Sequence, residues 1–284
     1  MLKLKTWHRG MLFILNFRSH LKFIRILSHP QTRQLIVNKP ELTYKYLRDY
    51  ISLNIPARNG LFILISHYSY LQSNFKINFL DDIYQSPIQL WGMDIDGVSF
   101  QIVMDFPHMV DHEGDLCLIF KKDLVCIYRV IFVITKGSSF DFPDDHVIFI
   151  SSVQGMHGFE GIQQATRICH DVQPAQMLMA AMSGVGLALG FNTIVGIAGK
   201  DQICQCEKLF FSYEKFFEKY GNLVPHKNFY RISLPYAESA LDLIHARHRK
   251  RTQKKRTFKN EIRDQVISSM AQYIARDSEW QGKL

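Results

Sequence analysis

The spacing of apolar and polar positions along this chain changes three times. Over the first 30 residues, bulky apolar side chains (Trp7, Phe13, Ile14, Phe17, Leu21, Phe23, Ile24, Ile26 and Leu27) are interleaved with Arg9, Arg18, Lys22 and Arg25. The spacing is helical, but the apolar residues cover most of the helix circumference. That suits burial against a body at least as well as a membrane surface. Pro30 ends any helix before it, and Pro40 marks the next boundary. A helix fits residues 41–52, with Leu42, Tyr46, Leu47 and Tyr50 on one side. Residues 60–72, with an apolar run at 61–65 followed by His67 and Tyr68, read as a helix or as a buried strand, because periodicity alone does not separate the two.

From Pro87 the pattern is that of strands. Runs at 88–91, 98–104, 115–120, 124–135 and 146–153 are β-rich and are broken by turn residues such as Lys136, Gly137, Ser138 and Ser139. Their connections are too short for parallel crossovers, so the reading is an antiparallel meander. At Gln154 the pattern changes again. A glycine-rich connection over 154–161 leads to a helical stretch at 162–170. Asp171 is then a candidate N-cap, with Pro174 in the first turn of a helix over 175–189 that Gly190 closes. A buried strand at 191–198 follows. The 175–189 helix carries Ala180, Ala181, Ser183, Gly184, Gly186 and Ala188. Each internal glycine costs about 1 kcal/mol relative to alanine, so close packing or close ligand approach is implied. An aromatic helix at 208–220 and a last strand at 229–234 come next. A C-terminal helix starts near 237 and runs to about 275, with Phe258, Ile262, Val266, Met270 and Tyr273 at helical spacing.

The predicted fold is α+β: N-terminal helices, a central mostly antiparallel sheet with a glycine-loop helix packed on it, and a long basic C-terminal helix. The domain reading is a basic apolar extension over 1–40 and a single domain over 41–284.

Composition supports a folded body. Of the 284 residues, 47% are hydrophobic, enough for one large core and too many for a disordered chain. The longest apolar run near the start covers only residues 11–15, short of a signal-peptide core or a spanning helix. The expectation is a cytoplasmic protein, with peripheral contact at the inner membrane as the alternative. The five cysteines fit reduced thiols, and Cys204 and Cys206 lack two further ligands at a zinc-type spacing. His108, His112 and Glu113, beside Asp105 and Asp111, resemble a ligand set only loosely and read as solvated turns, so no metal is expected.

Charge changes the picture more. Residues 1–40 hold eight Lys/Arg and no Asp or Glu, and residues 245–259 hold another eight with no acid. The span 41–244 holds 15 basic and 22 acidic residues. The chain is therefore a mildly acidic globule with two basic segments, each able to meet an anion such as nucleic acid, anionic lipid or a phosphate-bearing ligand. Arg247, Arg249, Lys250, Arg251, Lys254, Lys255 and Arg256 are the candidate anion-binding residues. Roughly four to six phosphate contacts would give strongly salt-dependent binding. On a helix, however, these residues point all round, only Phe258 is near for stacking, and no nucleic-acid motif accompanies them. Lipid headgroups, at about 1 kcal/mol per basic residue, or the acidic body itself are the other partners.

The glycine-rich segment suggests chemistry. Acyl-CoA-dependent N-acyltransferases use the order strand, glycine loop, helix to cradle a pyrophosphate on backbone N–H groups. Here Gly155, Gly158 and Gly161 do not reproduce the spacing Q/R-x-x-G-x-G/A, and a structural turn is the plain alternative. Candidate ligand-binding residues are Gln154, Gly155, His157, Gly158 and Gly161, with His67 and Tyr68; acyl-CoA is the cofactor this reading implies. His67, His157 and His170 have the chemistry of general bases, but no carboxylate or nucleophile stands in a recognisable motif with any of them. Catalytic residues are therefore left unassigned.

Taken in order, these pieces resemble the VirK/YbjX family of gram-negative bacterial proteins. The likeness rests on Val153-Gln154-Gly155 between strand and helix, Pro174, the small-residue helix, and Gly190 before a strand. His67-Tyr68 after the N-terminal helices and Glu113-Gly114 before a strand agree with it. So do the aromatic segment 213–221, where Phe217 replaces an expected Trp, and the basic block from His248 to Arg256. It extends from about residue 30 to 270. The resemblance implies an accessory protein in virulence or envelope maintenance, such as tolerance of antimicrobial peptides, and no established reaction. An acyltransferase-like enzyme and a nucleic-acid or anionic-lipid binding module are the alternatives.

Overall fold

In a computed structural model, residues 2–95, 97–107, 111–156, 159–204 and 211–275 are described. Three helices open the chain, α1 (Leu2–Leu15), α2 (Phe17–Leu27) and α3 (Pro30–Asn38). Pro30 starts α3 at a position where its missing N–H costs nothing, and the His29 ring caps the helix by accepting from the Gln31 N–H. The expected helix over 41–52 is instead a 3₁₀ segment, Pro40–Leu47. Three residues per turn set Leu42 and Lys45 on one side, both buried, and the chain then runs extended from Arg48. The ambiguous run is a helix, α4 (Ala57–Asn74), and α5 (Phe79–Gln85), which the pattern did not announce, follows it.

The meander is present as β1 (Ile88–Ile95), β2 (Val98–Asp105), β3 (Leu116–Lys122), β4 (Val125–Thr135) and β5 (Val147–Gly155), each antiparallel to the next. Asp123 and Leu124, both at positive φ (47° and 67°), form the two-residue link between β3 and β4. Leu124, expected in the strand, is therefore an exposed turn residue. Beyond β5 come α6 (Phe159–Ile168), α7 (Pro174–Ala188) and β6 (Thr193–Ile197). The strand β6 runs parallel to β5, because the two-helix crossover reverses the chain. The remaining elements are α8 (Tyr213–Phe217), β7 (Asn222–Leu223), β8 (Phe229–Ser233) and α9 (Ala246–Met270). One eight-stranded sheet results, in the order β1-β2-β3-β4-β5-β6-β8-β7. The fold is α+β, with a large, mostly antiparallel sheet and a long C-terminal helix.

Three boundary expectations are corrected. Gln173, not Asp171, is the N-cap of α7, because Pro174 takes the first helical position; the Gln173 N–H donates to the Gln176 side chain. The aromatic helix is confined to Tyr213–Phe217, where the Ser212 hydroxyl caps the Lys215 N–H; residues 205–210 lie outside the described residues. The C-terminal helix begins at Ala246 rather than near 237, and the segment before it is irregular apart from a 3₁₀ turn at Leu241–Leu243.

Packing explains the glycines of α7. A Cβ on Gly184 would lie 2.7 Å from the Arg263 carbonyl oxygen and 2.9 Å from Val266 Cβ, so α7 and α9 touch backbone to backbone. At Gly186 the clash would be with Leu234, 2.4 Å away. Helix α7 lies on β3 to β6, α9 on β1, and α4 on β4. The buried side of α9 is Phe258, Ile262, Val266 and Met270. Residues 273–275 return to α4: the Lys76 N–H donates to the Tyr273 carbonyl and the Ala275 N–H to that of Asn74. Phe23, Leu27 and Leu35 of the N-terminal helices share one apolar cluster with the sheet.

A buried charge network beside a cavity

Asp115 stands at the head of β3. Strand alternation turns it, with Cys117, away from the side that carries Leu116 and Leu118. The 3₁₀ segment brings Lys45 to it: Nζ lies 3.1 Å from Asp115 Oδ1 and 2.7 Å from the Gly114 carbonyl oxygen. The Tyr68 hydroxyl, from α4, donates to Oδ1 at 2.8 Å, and the Tyr50 hydroxyl donates to Oδ2. All four side chains are buried. Burial pushes the Asp115 carboxyl upward, but Lys45, His67 and the Tyr50 hydrogen bond outweigh it and leave the pKa below the ordinary value. Burial and the adjacent carboxylate drive the Tyr50 phenol well above its usual range.

His67 precedes Tyr68 on α4. Its Nδ1 accepts the Ile134 N–H at 3.0 Å, which places the ring proton on Nε2; that atom has no hydrogen-bond partner among the described residues. Burial lowers the His67 pKa to about 4, so the ring is neutral near pH 7.

Lys45, Tyr68 and Asp115 form part of the wall of a cavity of about 220 Å³. Leu35, Leu42, Phe106 and Pro107 supply apolar wall, and Lys39, Glu41, Arg48 and His112 supply charged or titratable groups. Arg48 Nη1 and His112 Nε2 are 3.4 Å apart. The same two residues also line an adjoining cleft of about 710 Å³ that reaches His8, Arg9 and Leu12 of α1.

The other sequence candidates lie elsewhere. Gln154 and Gly155 belong to β5, opposite Arg129 and Tyr128. The Gln154 side chain accepts from Arg129 at 2.8 Å and donates to both Glu113 oxygens at 3.2 and 3.3 Å, while burial raises the Glu113 pKa. The Met156 N–H is given to the Ile127 carbonyl, and Gly161 lies within α6, near Ile127. His157 and Gly158 lie outside the described residues. The structure thus brings Tyr68, with His67 behind it, to the cavity, and ties Gln154 into a separate polar cluster. Lys45, Tyr50 and Asp115 were not singled out as site residues from the sequence. The one available signal was an acid opening the apolar run Leu116-Cys117-Leu118-Ile119-Phe120.

Much of the basic run is engaged within the molecule. Arg251 pairs with Asp171 at 2.9 Å, and Lys255 donates to the Asp171 carbonyl. Arg256 and Lys259 both pair with Glu238, and Arg249 caps the carbonyls of Asp242 and Ile244. Arg247, Lys250 and Lys254, spaced i, i+3, i+7, are exposed.

The N-terminal helices present a different surface. Trp7, Met11, Ile14 and Leu15 form one outward stripe on α1 at i, i+4, i+7, i+8, continued by Phe17 and Leu21 on α2. Trp7, Ile14 and Leu15 are 71–73% exposed. Arg18, Lys22 and Arg25 are exposed beside them. No helix among the described residues is long and apolar enough to cross a membrane.

Comparison with known proteins places these features in context. The model of the family described as "Protein of unknown function (DUF535)" matches residues 3–268. The chain is 23% identical to "Uncharacterized protein YbjX" of Escherichia coli, over 94% of this chain and 84% of that protein. It is 20% identical to "Membrane protein LapB" of Mannheimia haemolytica, over 62% of this chain and 75% of that one. No solved structure matches.

Proposed function

The chain belongs to the DUF535 family, the VirK/YbjX group, and from that premise we propose that it is a bacterial envelope accessory protein that works while seated on an anionic membrane surface. The outward stripe of α1 and α2 carries this reading. Large apolar side chains left in water over two consecutive helices mark a contact surface. The stripe is flanked by cations, with no acidic residue before Glu41, so the complementary partner is apolar below and negative above. Trp7 suits the interfacial depth at which indole rings settle. Each basic residue near such a surface adds about 1 kcal/mol of attraction. A relative's name, "Membrane protein LapB", agrees with this placement. Roles in virulence or in tolerance of antimicrobial peptides would then be exercised at the envelope.

Vesicle co-sedimentation tests the reading. The protein is expected to pellet with vesicles containing phosphatidylglycerol and to stay in solution with pure phosphatidylcholine. Trp7→Ser together with Ile14→Ser and Leu15→Ser, all exposed positions, should abolish pelleting without lowering the melting temperature. Equal or absent pelleting with both lipid compositions would sink the proposal.

A further inference from the structure

One face of α4 is left as an open groove of about 310 Å³. Phe62, Ile65, Ser69 and Ser73 line its floor at i, i+3, i+7 and i+11, the spacing of a single helix face. Each wall brings a lysine. On one side α2 lies alongside α4, with the Phe23 ring 6.1 Å from Tyr68 and the Ile26 carbonyl accepting from Gln72 at 2.7 Å, and it supplies Lys22. The other wall is the chain between β4 and β5. There the Lys136 N–H donates to Ser66 Oγ at 3.0 Å, and the His146 ring stands 4.7 Å from that of Tyr70. These contacts gather the three basic side chains toward the middle of the groove.

Its charge is one-sided. No Asp or Glu lines the groove, and neither the Lys22 nor the Lys136 ammonium has a carboxylate partner among the described residues. Asp145, the acid that acts on His146, is exposed and outside the lining. Burial and Lys136 lower the His146 pKa, so this ring is neutral near pH 7 and offers a hydrogen bond rather than a charge. The two ends of the groove also differ. Phe62 and Ile65 make one end apolar. Toward the other, the Ser69 and Ser73 hydroxyls make no hydrogen bond among the described residues, and Asn74, whose Nδ2 donates to the Tyr70 carbonyl, keeps Oδ1 as an acceptor. A phosphomonoester carries nearly two negative charges at pH 7, which two ammonium groups offset. Phosphate alone would leave the hydroxyl row unused, whereas a sugar brings hydroxyls that both donate and accept.

We infer that this groove binds a sugar phosphate, with the phosphate between Lys22 and Lys136 beside His146 and the sugar hydroxyls on Ser69, Ser73 and Asn74. The inference concerns a soluble ligand and does not require the outer stripe of α1 to touch a membrane.

The test is titration of the full chain with glucose 1-phosphate and glucose 6-phosphate, read by calorimetry and by thermal shift. Saturable binding of at least one, with a raised melting temperature, is expected. Glucose should not bind, and inorganic phosphate should bind at least about tenfold more weakly. Lys136→Glu, at an exposed side chain, should weaken sugar phosphate binding at least about tenfold, the loss of a charge-assisted contact, and Lys22→Glu on the opposite wall should act alike. Ser73→Ala should narrow the preference over inorganic phosphate. No binding of either sugar phosphate at millimolar concentration would overturn the inference, as would equal affinity in wild type and Lys136→Glu. Equal affinity for inorganic phosphate would reduce the groove to an anion site, and tighter binding of glycerophosphoglycerol would make it a lipid-headgroup site; either result overturns the sugar phosphate. The triple variant of Trp7, Ile14 and Leu15 should bind sugar phosphate as wild type does, which keeps this outcome separate from vesicle pelleting.

Discussion

Asp115 accepts from three buried groups in the interior: Lys45, Tyr50 and Tyr68. Removing one side of a buried ion pair strands the other. Asp115→Asn should therefore destabilise the protein by about 3–5 kcal/mol in urea unfolding at pH 7. Adding Lys45→Met to that variant should recover part of the loss, because no ammonium is then left unpaired. A single variant within about 1 kcal/mol of wild type would mean that water reaches the pair. His67 makes a second expectation, with a definite sign. Its folded pKa, about 4, lies below that of an unfolded histidine, so the unfolded chain binds more protons between the two values. The stability tied to neutral His67 is complete above about pH 6.5 and is lost as pH falls toward 4, by roughly 3 kcal/mol. His20 and His146 shift the same way through burial, so the measurement is a difference. His67→Gln should lose less stability than wild type between pH 7 and 4.5; identical slopes would place the acid sensitivity elsewhere.

At the scale of elements, α7 and α9 meet backbone to backbone, and Gly184 permits it. Alanine there gains about 1 kcal/mol of helix propensity but meets the Arg263 carbonyl, which is backbone and cannot swing aside. Overpacking costs about 1–3 kcal/mol, so Gly184→Ala should lower the melting temperature. Gly10, in α1, is the control: a Cβ there meets nothing within 4 Å, and Gly10→Ala should leave stability unchanged or slightly raised. The α7 pattern of small residues showed in the sequence that something approaches closely. It did not show whether a ligand or a helix does so, since both need the same missing Cβ. The meander was legible because alternation and short links leave few other arrangements. The 3₁₀ segment was not, because Leu42, Tyr46 and Tyr50 suit a helical stripe equally well, and the turn is held by contacts with Gly114 and Asp115, about 70 residues away.

Over the whole molecule, the two basic segments have parted company. The C-terminal run is largely satisfied from within, by Asp171, Glu238 and nearby carbonyls, whereas the N-terminal helices keep cations and apolar groups together on the outside. Membrane binding should accordingly weaken as salt screens the cations, yet retain the apolar share of its affinity. Complete loss at about 0.5 M salt would mean that the apolar stripe contributes nothing.

By itself the sequence determined what local physics controls: most of the helices and strands, though not α5, β7 or the choice between helix and strand at α4, together with the antiparallel meander, the charge segregation and the family likeness. Tyr68 and Gln154 could be picked out as polar residues at telling positions, but not the partners that would give them meaning. Tertiary structure decided that Tyr68 joins Lys45 and Asp115 beside a cavity while Gln154 joins Arg129 and Glu113 in another cluster. It also decided which face of α1 stays in solvent. The reason is range: periodicity and capping act within a few residues, whereas a buried charge takes its partners from wherever the fold delivers them.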